Sequence, residues 1–353
     1  MNVAFHVTGH GFGHATRAIA VMQALHRILP HIHFIICTEA PAKLFADNLP
    51  PEAFTYRMIR LDVGAFEKMM LDTDVELTVR KADAFYDGAH GLAKQEAQFL
   101  LDHRVRAVLF DVPPLAPEIA FRAGVPSVGV ANFTWDFIYR AWKPNWFLLK
   151  QMAEWQAKTT LALQLPIGHE LEAFPRRERI PLIARKSTLT RAQVRRELGI
   201  GDDKFCILLA MRGMKAHLAS MSHQQRDVVI ISFGEVDSSE GIHVVEDRWN
   251  ARFVDVLEAC DVVLTKPGYG IISECYAARK PMLHLPRKNF AETPLLMQWM
   301  DEWLSHAPIM IQDIREGRLI ALARELAARP YVWKDQPING AQVAAQRVAA
   351  LIG

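Results

Sequence analysis

The chain contains no apolar run approaching the roughly 20 residues that a membrane-spanning helix needs, so no transmembrane segment is expected. Its four cysteines, Cys37, Cys206, Cys260 and Cys275, form no CxxC pair, and no Cys/His spacing fits a zinc site. They read as small buried hydrophobes in a reducing compartment. A charge excess of one sign is also missing. The 41 basic residues nearly balance 39 acidic ones, for a net charge of +2, which removes the electrostatic case for a nucleic-acid partner. Peripheral contact with an anionic membrane surface stays open. The N terminus runs straight into the strand-like VAFHV without a basic n-region, so no signal peptide is expected and the chain reads as cytoplasmic. Short internal repeats and low-complexity tracts are absent.

What the chain does have is size and apolar content. It has 353 residues, 50% of them hydrophobic, enough for two domains. Short apolar runs alternate with longer amphipathic ones, the pattern of a parallel sheet covered by helices. The first half predicts strands at Val3–Val7, His33–Cys37, Ala107–Phe110 and Ser127–Val130. Between the first two lies a helix with Ile19, Met22, Leu25 and Leu29 on one face, ended by Pro30. From about Pro166 to Arg196 the chain turns polar and basic and carries Pro175 and Pro181. This predicts an interdomain connection running into a helix capped near Thr190. A second set of strands follows at Phe205–Ala210, Val228–Ser232, Ile242–Val245, Val262–Thr265 and Met282–Leu285. The expectation is α/β architecture with two doubly wound parallel-sheet domains, 1–180 and 181–353, which bind ligand at strand carboxyl ends.

Two glycine turns carry the chemistry. The first, TGHGFGHATR from Thr8, follows the first strand and opens the first helix. Gly9, Gly11 and Gly13 allow a sharp turn and close backbone approach to a ligand, and the helix start offers free N–H groups. His10 and His14 stand at the same strand end, and either imidazole suits general-base work near neutral pH. The GxGxG spacing departs from the GxGxxG dinucleotide fingerprint, and the acidic residue that fingerprint requires is uncertain, with Glu39 at about the right distance. A simple tight turn with two half-exposed histidines accounts for the same residues.

The second turn, TKPGYGIISE from Thr265, also joins a strand to a helix through Gly268 and Gly270. Lys266 can neutralise a diphosphate. Glu274, placed in about the first helical turn, can accept a ribose diol or merely favour the helix dipole. Downstream, Glu292 and Thr293 can meet sugar hydroxyls or cap a helix. Trp249 can stack on a base or pack in the core. The aromatic-rich stretch FTWDFIYRAWKPNWFLLKQMAEW can line an acceptor pocket, touch lipid or be buried, and Asp136 within it is a candidate for the cleft.

Together these stretches resemble the GT-B glycosyltransferases. Within that superfamily the chain is similar to the N-terminal glycosyltransferase-like half of plant L-arabinokinase, through VTGHGFGHATR, ANFTWDFIY, VRRELGI, KPGYGIISE and ING at Ile338–Gly340. More distantly it resembles the peptidoglycan N-acetylglucosaminyltransferase, the plant galactolipid synthases and the plant UDP-glycosyltransferases. The resemblance implies two Rossmann-like domains, acceptor-side first and nucleotide-sugar-binding second, with the last helix packing back on the first. It implies that His14 is the catalytic base and that Asp111, after AVLF, orients it. It further implies that Lys266 lies near the phosphates, Glu274 takes the ribose and Glu292 lies near the donor sugar. Two departures weaken the phosphate site: Ile271 replaces a threonine, and the turn after the first strand of the second domain reads LLAMRG, where Arg212 and Gly213 stand in place of paired glycines.

The expected reaction is transfer of a sugar from a UDP-sugar, used as co-substrate without any cofactor, to the hydroxyl of a small or lipid-linked acceptor. The DTD at Asp72–Asp74 falls in a polar stretch away from a strand end, so no catalytic metal is expected. A UDP-sugar 2-epimerase and a non-catalytic sugar-nucleotide-binding module remain the alternatives. No counterpart of the kinase half of arabinokinase is expected, so its sugar-kinase activity is not carried over.

Overall fold

The computed structural model describes residues 1–69, 71–211, 226–233, 242–245, 249 and 252–353. The chain opens with β1 (Asn2–Val7), α1 (Phe12–Ile28), β2 (His33–Thr38), α2 (Ala42–Ala46) and β3 (Phe54–Met58). A hairpin, β4 (Glu67–Met69) and β5 (Asp72–Thr73), precedes α3 (Val75–Asp87), α4 (Ala89–Asp102) and β6 (Val105–Asp111). Then come α5 (Ala116–Arg122), β7 (Ser127–Ala131), α6 (Trp135–Arg140), α7 (Trp146–Gln156), β8 (Leu161–Gln164) and β9 (Arg177–Arg179). The second half holds α8 (Arg191–Leu198), β10 (Phe205–Leu209), β11 (Val228–Phe233), β12 (Ile242–Val245), α9 (Phe253–Ala259) and β13 (Val262–Thr265). It continues through α10 (Tyr269–Ala277), β14 (Met282–His284), α11 (Thr293–Trp303) and β15 (His306–Pro308). It ends with α12 (Ile311–Arg315), α13 (Leu319–Ala328) and α14 (Gly340–Ile352).

Both main sheets are parallel. The first runs β3-β2-β1-β6-β7-β8-β9 and the second β12-β11-β10-β13-β14-β15. In each, the first strand lies centrally and the chain winds to one side and then the other. The carboxyl ends beside that reversal form the crevice where such sheets bind ligands. The central strands read as near-continuous apolar runs because helices cover both of their faces.

The predicted strands all form, with ends shifted by at most two residues. The edge strands β3, β9 and β15 carry no apolar run, since an edge is half solvated and tolerates FTYRM, RER and HAP. The polar stretch 166–196 is therefore not connector throughout: Arg177–Arg179 is an edge strand of the first sheet. Helix α8 does start with a capping box, Gln193 N–H donating to Thr190 Oγ1 and Thr190 N–H to Gln193 Oε1.

One apolar cluster runs through both halves. It joins α1 and β1 to Ile180, Leu182 and Ile183 of the connector and to Ala344 and Val348 of α14. Helix α14 packs along α1 of the first domain. Its start is pinned by the Gly340 N–H, which donates to Leu182 O at 2.9 Å. A Cβ on Gly340 would stand 2.1 Å from Pro181 O, so the connector can pass only over a glycine. This is the structural content of the ING string.

β1 also buries His6 completely, with no hydrogen-bond partner for either ring nitrogen. Burial, helped by the charge of Arg57, pushes its pKa down to about 3. The imidazole is thus neutral in the fold while the unfolded chain protonates near 6.5. Stability is fully present above pH 6.5 and falls as the pH drops toward 3, because the unfolded state takes up the proton first, by at most about 1.4 kcal/mol per pH unit. His6→Leu is expected to flatten this part of the profile in urea denaturation across that range. Wild-type and variant profiles that run parallel would show that His6 is not the titrating group.

Candidate active site in the interdomain cleft

The first glycine turn wraps the carboxyl end of β1. Gly11 adopts φ +79° as the N-cap of α1, a conformation that favours glycine. Two residues into the helix, the side chain of His14 reaches back to the carboxyl end of β6, where Asp111 is the last residue. His14 Nδ1 lies 2.7 Å from Asp111 Oδ1. Asp111 is ionised, so Nδ1 carries the proton and donates it, which leaves Nε2 as an acceptor.

Asp111 is completely buried. Burial alone pushes a carboxyl up, but the charge of Arg17 and the hydrogen bonds from Arg17 and His14 outweigh it and hold Asp111 below its ordinary value. Arg17 does this in bidentate geometry, Nε to Oδ2 and Nη2 to Oδ1, both at 2.6 Å. Its Nη1 donates to Asn132 Oδ1 at 2.8 Å, and Asn132 Nδ2 donates to Glu292 Oε1 at 2.6 Å. Arg17 also lies over the Tyr269 ring, 4.8 Å from its centroid. A continuous polar chain, His14–Asp111–Arg17–Asn132–Glu292, thus starts in the first domain and ends in the second.

The second glycine turn faces the first at touching distance. A Cβ on Gly270 would meet Gly13 Cα at 3.3 Å. Gly268 is the N-cap of α10. Beside the two turns runs a narrow gap lined by Thr16, Arg17, Arg185, Tyr269, Ser273 and Glu274. The connector closes one side, with the Ile183 N–H donating to Tyr269 Oη and Ser273 Oγ donating to Ile183 O, both at 3.1 Å.

Several sequence expectations need correction. Glu274 is the sixth residue of α10, not in its first turn, and accepts a hydrogen bond from Arg185 Nε at 2.7 Å. Glu292 sits at the N-cap position of α11 but makes no side-chain cap, because its carboxylate is spent on Asn132. Burial raises its pKa. Thr293 Oγ1 is buried and makes no hydrogen bond, so it too is no cap. Trp249 is 2% exposed within the apolar cluster, with the Arg252 guanidinium 4.3 Å from its ring centroid, so it serves as core. Asp136 turns from the cleft to Gln156, whose Nε2 donates to it at 2.9 Å. Within the aromatic stretch Trp135, Tyr139 and Trp155 are buried, whereas Trp146 and Phe147 are exposed. Glu39 is engaged by Arg60 at 2.8 and 2.9 Å.

His10 makes no hydrogen bond with Asp111, although its charge when protonated, like that of His14, acts on the buried Asp62. The His10 ring packs edge-on to Trp135 and so close to Gly64 that a Cβ there would lie 2.0 Å from it. Arg212 and Gly213 lie outside the described residues. Lys266 follows β13 and donates to Glu67 of the β4–β5 hairpin at 2.7 and 3.0 Å. The residues that motif reading passed over are Arg17, Asn132, Arg185, Arg287 and Glu67. Arg17 had a usable signal: it lies one helical turn after His14 and so on the same face.

Arg17→Met would leave Asp111 buried with only the imidazole beside it. The expected cost is about 3–5 kcal/mol, the usual result of removing one partner of a buried ion pair. Asp111→Asn in the same background should recover part of it. Urea denaturation measures both, and a single variant within 1 kcal/mol of wild type, an error-sized change, would refute the role given to Arg17.

The fold has counterparts among known proteins. The model of glycosyl transferase family 1 matches residues 1–320. The L-arabinokinase of Arabidopsis thaliana is 28% identical over 351 residues, which is 97% of this chain but only 33% of that protein's length. The calicheamicin glycosyltransferase CalG4 superposes with a TM-score of 0.61 at 14% identity, over 100% of this chain and 95% of that one. S. aureus MnaA with UDP gives 0.56 at 13%, over 99% and 95%. These structural likenesses bear on the fold alone, two facing parallel-sheet domains of GT-B type. With the family match extending over both of those domains, the chain belongs to glycosyl transferase family 1.

Proposed function

We propose that the protein transfers a sugar from a nucleotide-sugar, a UDP-sugar in the first instance, to an acceptor hydroxyl in the cleft between its domains, without a metal ion. The observation that carries this reading is the His14–Asp111 pair at 2.7 Å, set in the glycine turn that faces Gly270 of the second domain. The acceptor proton passes to His14 Nε2 while the acceptor oxygen attacks the anomeric carbon. The bond from that carbon to the β-phosphate oxygen breaks, and the nucleoside diphosphate leaves with the electron pair. Asp111 orients the ring and stabilises the imidazolium that forms. The charge on the leaving diphosphate is met by Lys266 and by the N-terminal N–H groups of α10.

UDP as the nucleotide is supported by the resemblance of KPGYGIISE to UDP-binding families and by the UDP held in the S. aureus MnaA structure of the same fold. A cytoplasmic, peripheral mode of action fits the near-neutral charge and the lack, among the described residues, of any helix long and apolar enough to cross a membrane.

The test has two stages. A thermal-shift panel of UDP, GDP, dTDP, ADP and their sugar conjugates should raise the melting temperature for one nucleotide class. At a hundredfold excess over Kd the gain is about 2.7 kcal/mol. No shift with any of them would sink the donor reading. With the stabilising conjugate, release of free nucleotide distinguishes a transferase from a 2-epimerase and from a binding module. His14→Ala should lower that release about 10²–10⁴-fold, and undiminished turnover would remove His14 from the base role.

A further inference from the structure

Among the described residues, Arg17, Arg185, Lys266 and Arg287 reach the cleft, and they are not equally committed. Arg17 is locked to Asp111, whose side chain has no exposure, and Arg185 to Glu274, whose side chain is 9% exposed. Lys266 and Arg287 instead share one carboxylate, Glu67, at 2.7 and 3.5 Å. Glu67 is 28% exposed and comes from the opposite domain, on the β4–β5 hairpin. Among the described residues Glu67 is the carboxylate that both cations pair with, while the buried Glu292 acts on only Arg287 of the two, through its charge and without an ion pair.

The placement of the two cations is informative. Lys266 follows β13 and Arg287 follows β14, and these strands are parallel neighbours. Both side chains therefore stand at adjacent strand carboxyl ends, where α/β sheets receive phosphates. The guanidinium of Arg287 lies over the Phe290 ring, 3.5 Å from the centroid, and that contact holds it in place before any ligand arrives. The hairpin is strapped beside it through a bridge between Asp72 and Lys288 and the Lys288 N–H donating to Leu71 O.

We propose that Lys266 and Arg287 form a two-cation site for the donor's diphosphate, and that Glu67 occupies it as an internal anion which the diphosphate displaces. Arg287 thereby becomes a donor-binding residue, and the β4–β5 hairpin becomes a clasp that holds the cleft shut until a doubly charged ligand outcompetes a single carboxylate. The inference rests on the nucleotide-sugar reading of the same cleft.

Calorimetric titration of the intact protein with UDP, and separately with inorganic pyrophosphate, tests it. Glu67→Gln removes the competitor and should tighten both ligands about two- to fivefold, the range set by a partly exposed ion pair. The gain should shrink in high salt. Arg287→Met should weaken both ligands by about tenfold or more, a loss expected of a charge-assisted phosphate contact, with Arg287→Lys recovering part of it. Small-angle scattering of unliganded Glu67→Gln should show a larger radius of gyration, a readout that needs no ligand. Unchanged or weaker binding by Glu67→Gln overturns the clasp. If Arg287→Met binds UDP as wild type does, the anion site falls while the donor reading stands. If pyrophosphate follows the predicted pattern and no nucleotide binds, the anion site stands and the donor reading falls. Failure of the wild type and Glu67→Gln to bind either ligand overturns both.

Discussion

The cleft depends on the burial of one carboxylate. Asp111 ends β6 with no solvent exposure, and a charge there is tolerable only if it is paired and hydrogen-bonded on both oxygens. Arg17 supplies that pairing, and it then determines much else. Its remaining N–H groups set the position of Asn132, and its guanidinium lies over the Tyr269 ring of the other domain. Asn132 in turn reaches Glu292. One electrostatic requirement inside the first domain thus organises the polar contact between the two. Glu292 gains from it, because a buried carboxylate raised by desolvation needs a donor. His14 gains as well, because the same Asp111 oxygen that takes Arg17 Nη2 also takes the imidazole proton.

Other contacts across the cleft are of two kinds, and they have different consequences. The rear of the molecule is closed by apolar packing: α14 runs along α1, and the connector is threaded over Gly340. The mouth is closed by ion pairs and single hydrogen bonds, such as Lys266 with Glu67 and Trp142 Nε1 donating to Asn289 O at 2.7 Å. Apolar contact of this sort is lost only with the fold, whereas exposed ion pairs each contribute little and yield to salt or to a better anion. The rear therefore has the contacts expected of a hinge and the mouth those expected of a latch. Polar interdomain surfaces favour relative motion by default, and a transferase that admits a donor between its domains needs that motion.

How far this could be read from the chain varies with sequence distance. Most strands that lie inside a sheet were legible, since burial on both faces demands apolar runs, but the four-residue β8 was passed over although it is buried between β7 and β9. The edge strands β3 and β9 were not legible, because RER is indistinguishable from a polar connector until β8 is beside it. The glycine turns were legible as turns, and the strand-end logic that selected His14 also pointed to Asp111. Pairs formed across the molecule had no local signature: Arg185 and Glu274 are 89 residues apart, and Glu67 and Lys266 are 199 apart. Trp249 shows the opposite failure, in which a residue type suited to base stacking is claimed by the core.

The departure at Ile271 now has a physical setting. Related sequences place a threonine hydroxyl after the second glycine of this turn, whereas here an isoleucine packs against the central apolar cluster. That position offers a diphosphate nothing but the backbone N–H groups at the start of α10. Charge must then come from the neighbouring strand ends, and among the described residues Lys266 and Arg287 are the cations that stand there. A hydroxyl is neutral and needs no partner while the cleft is unliganded, but two cations facing each other across adjacent strand ends repel. They require an anion in the resting protein, and Glu67 meets that requirement from the other domain. On the proposed reading, exchange of a hydroxyl for charge in the phosphate site brings with it a reason for the clasp, and would couple donor binding to the movement of one domain against the other.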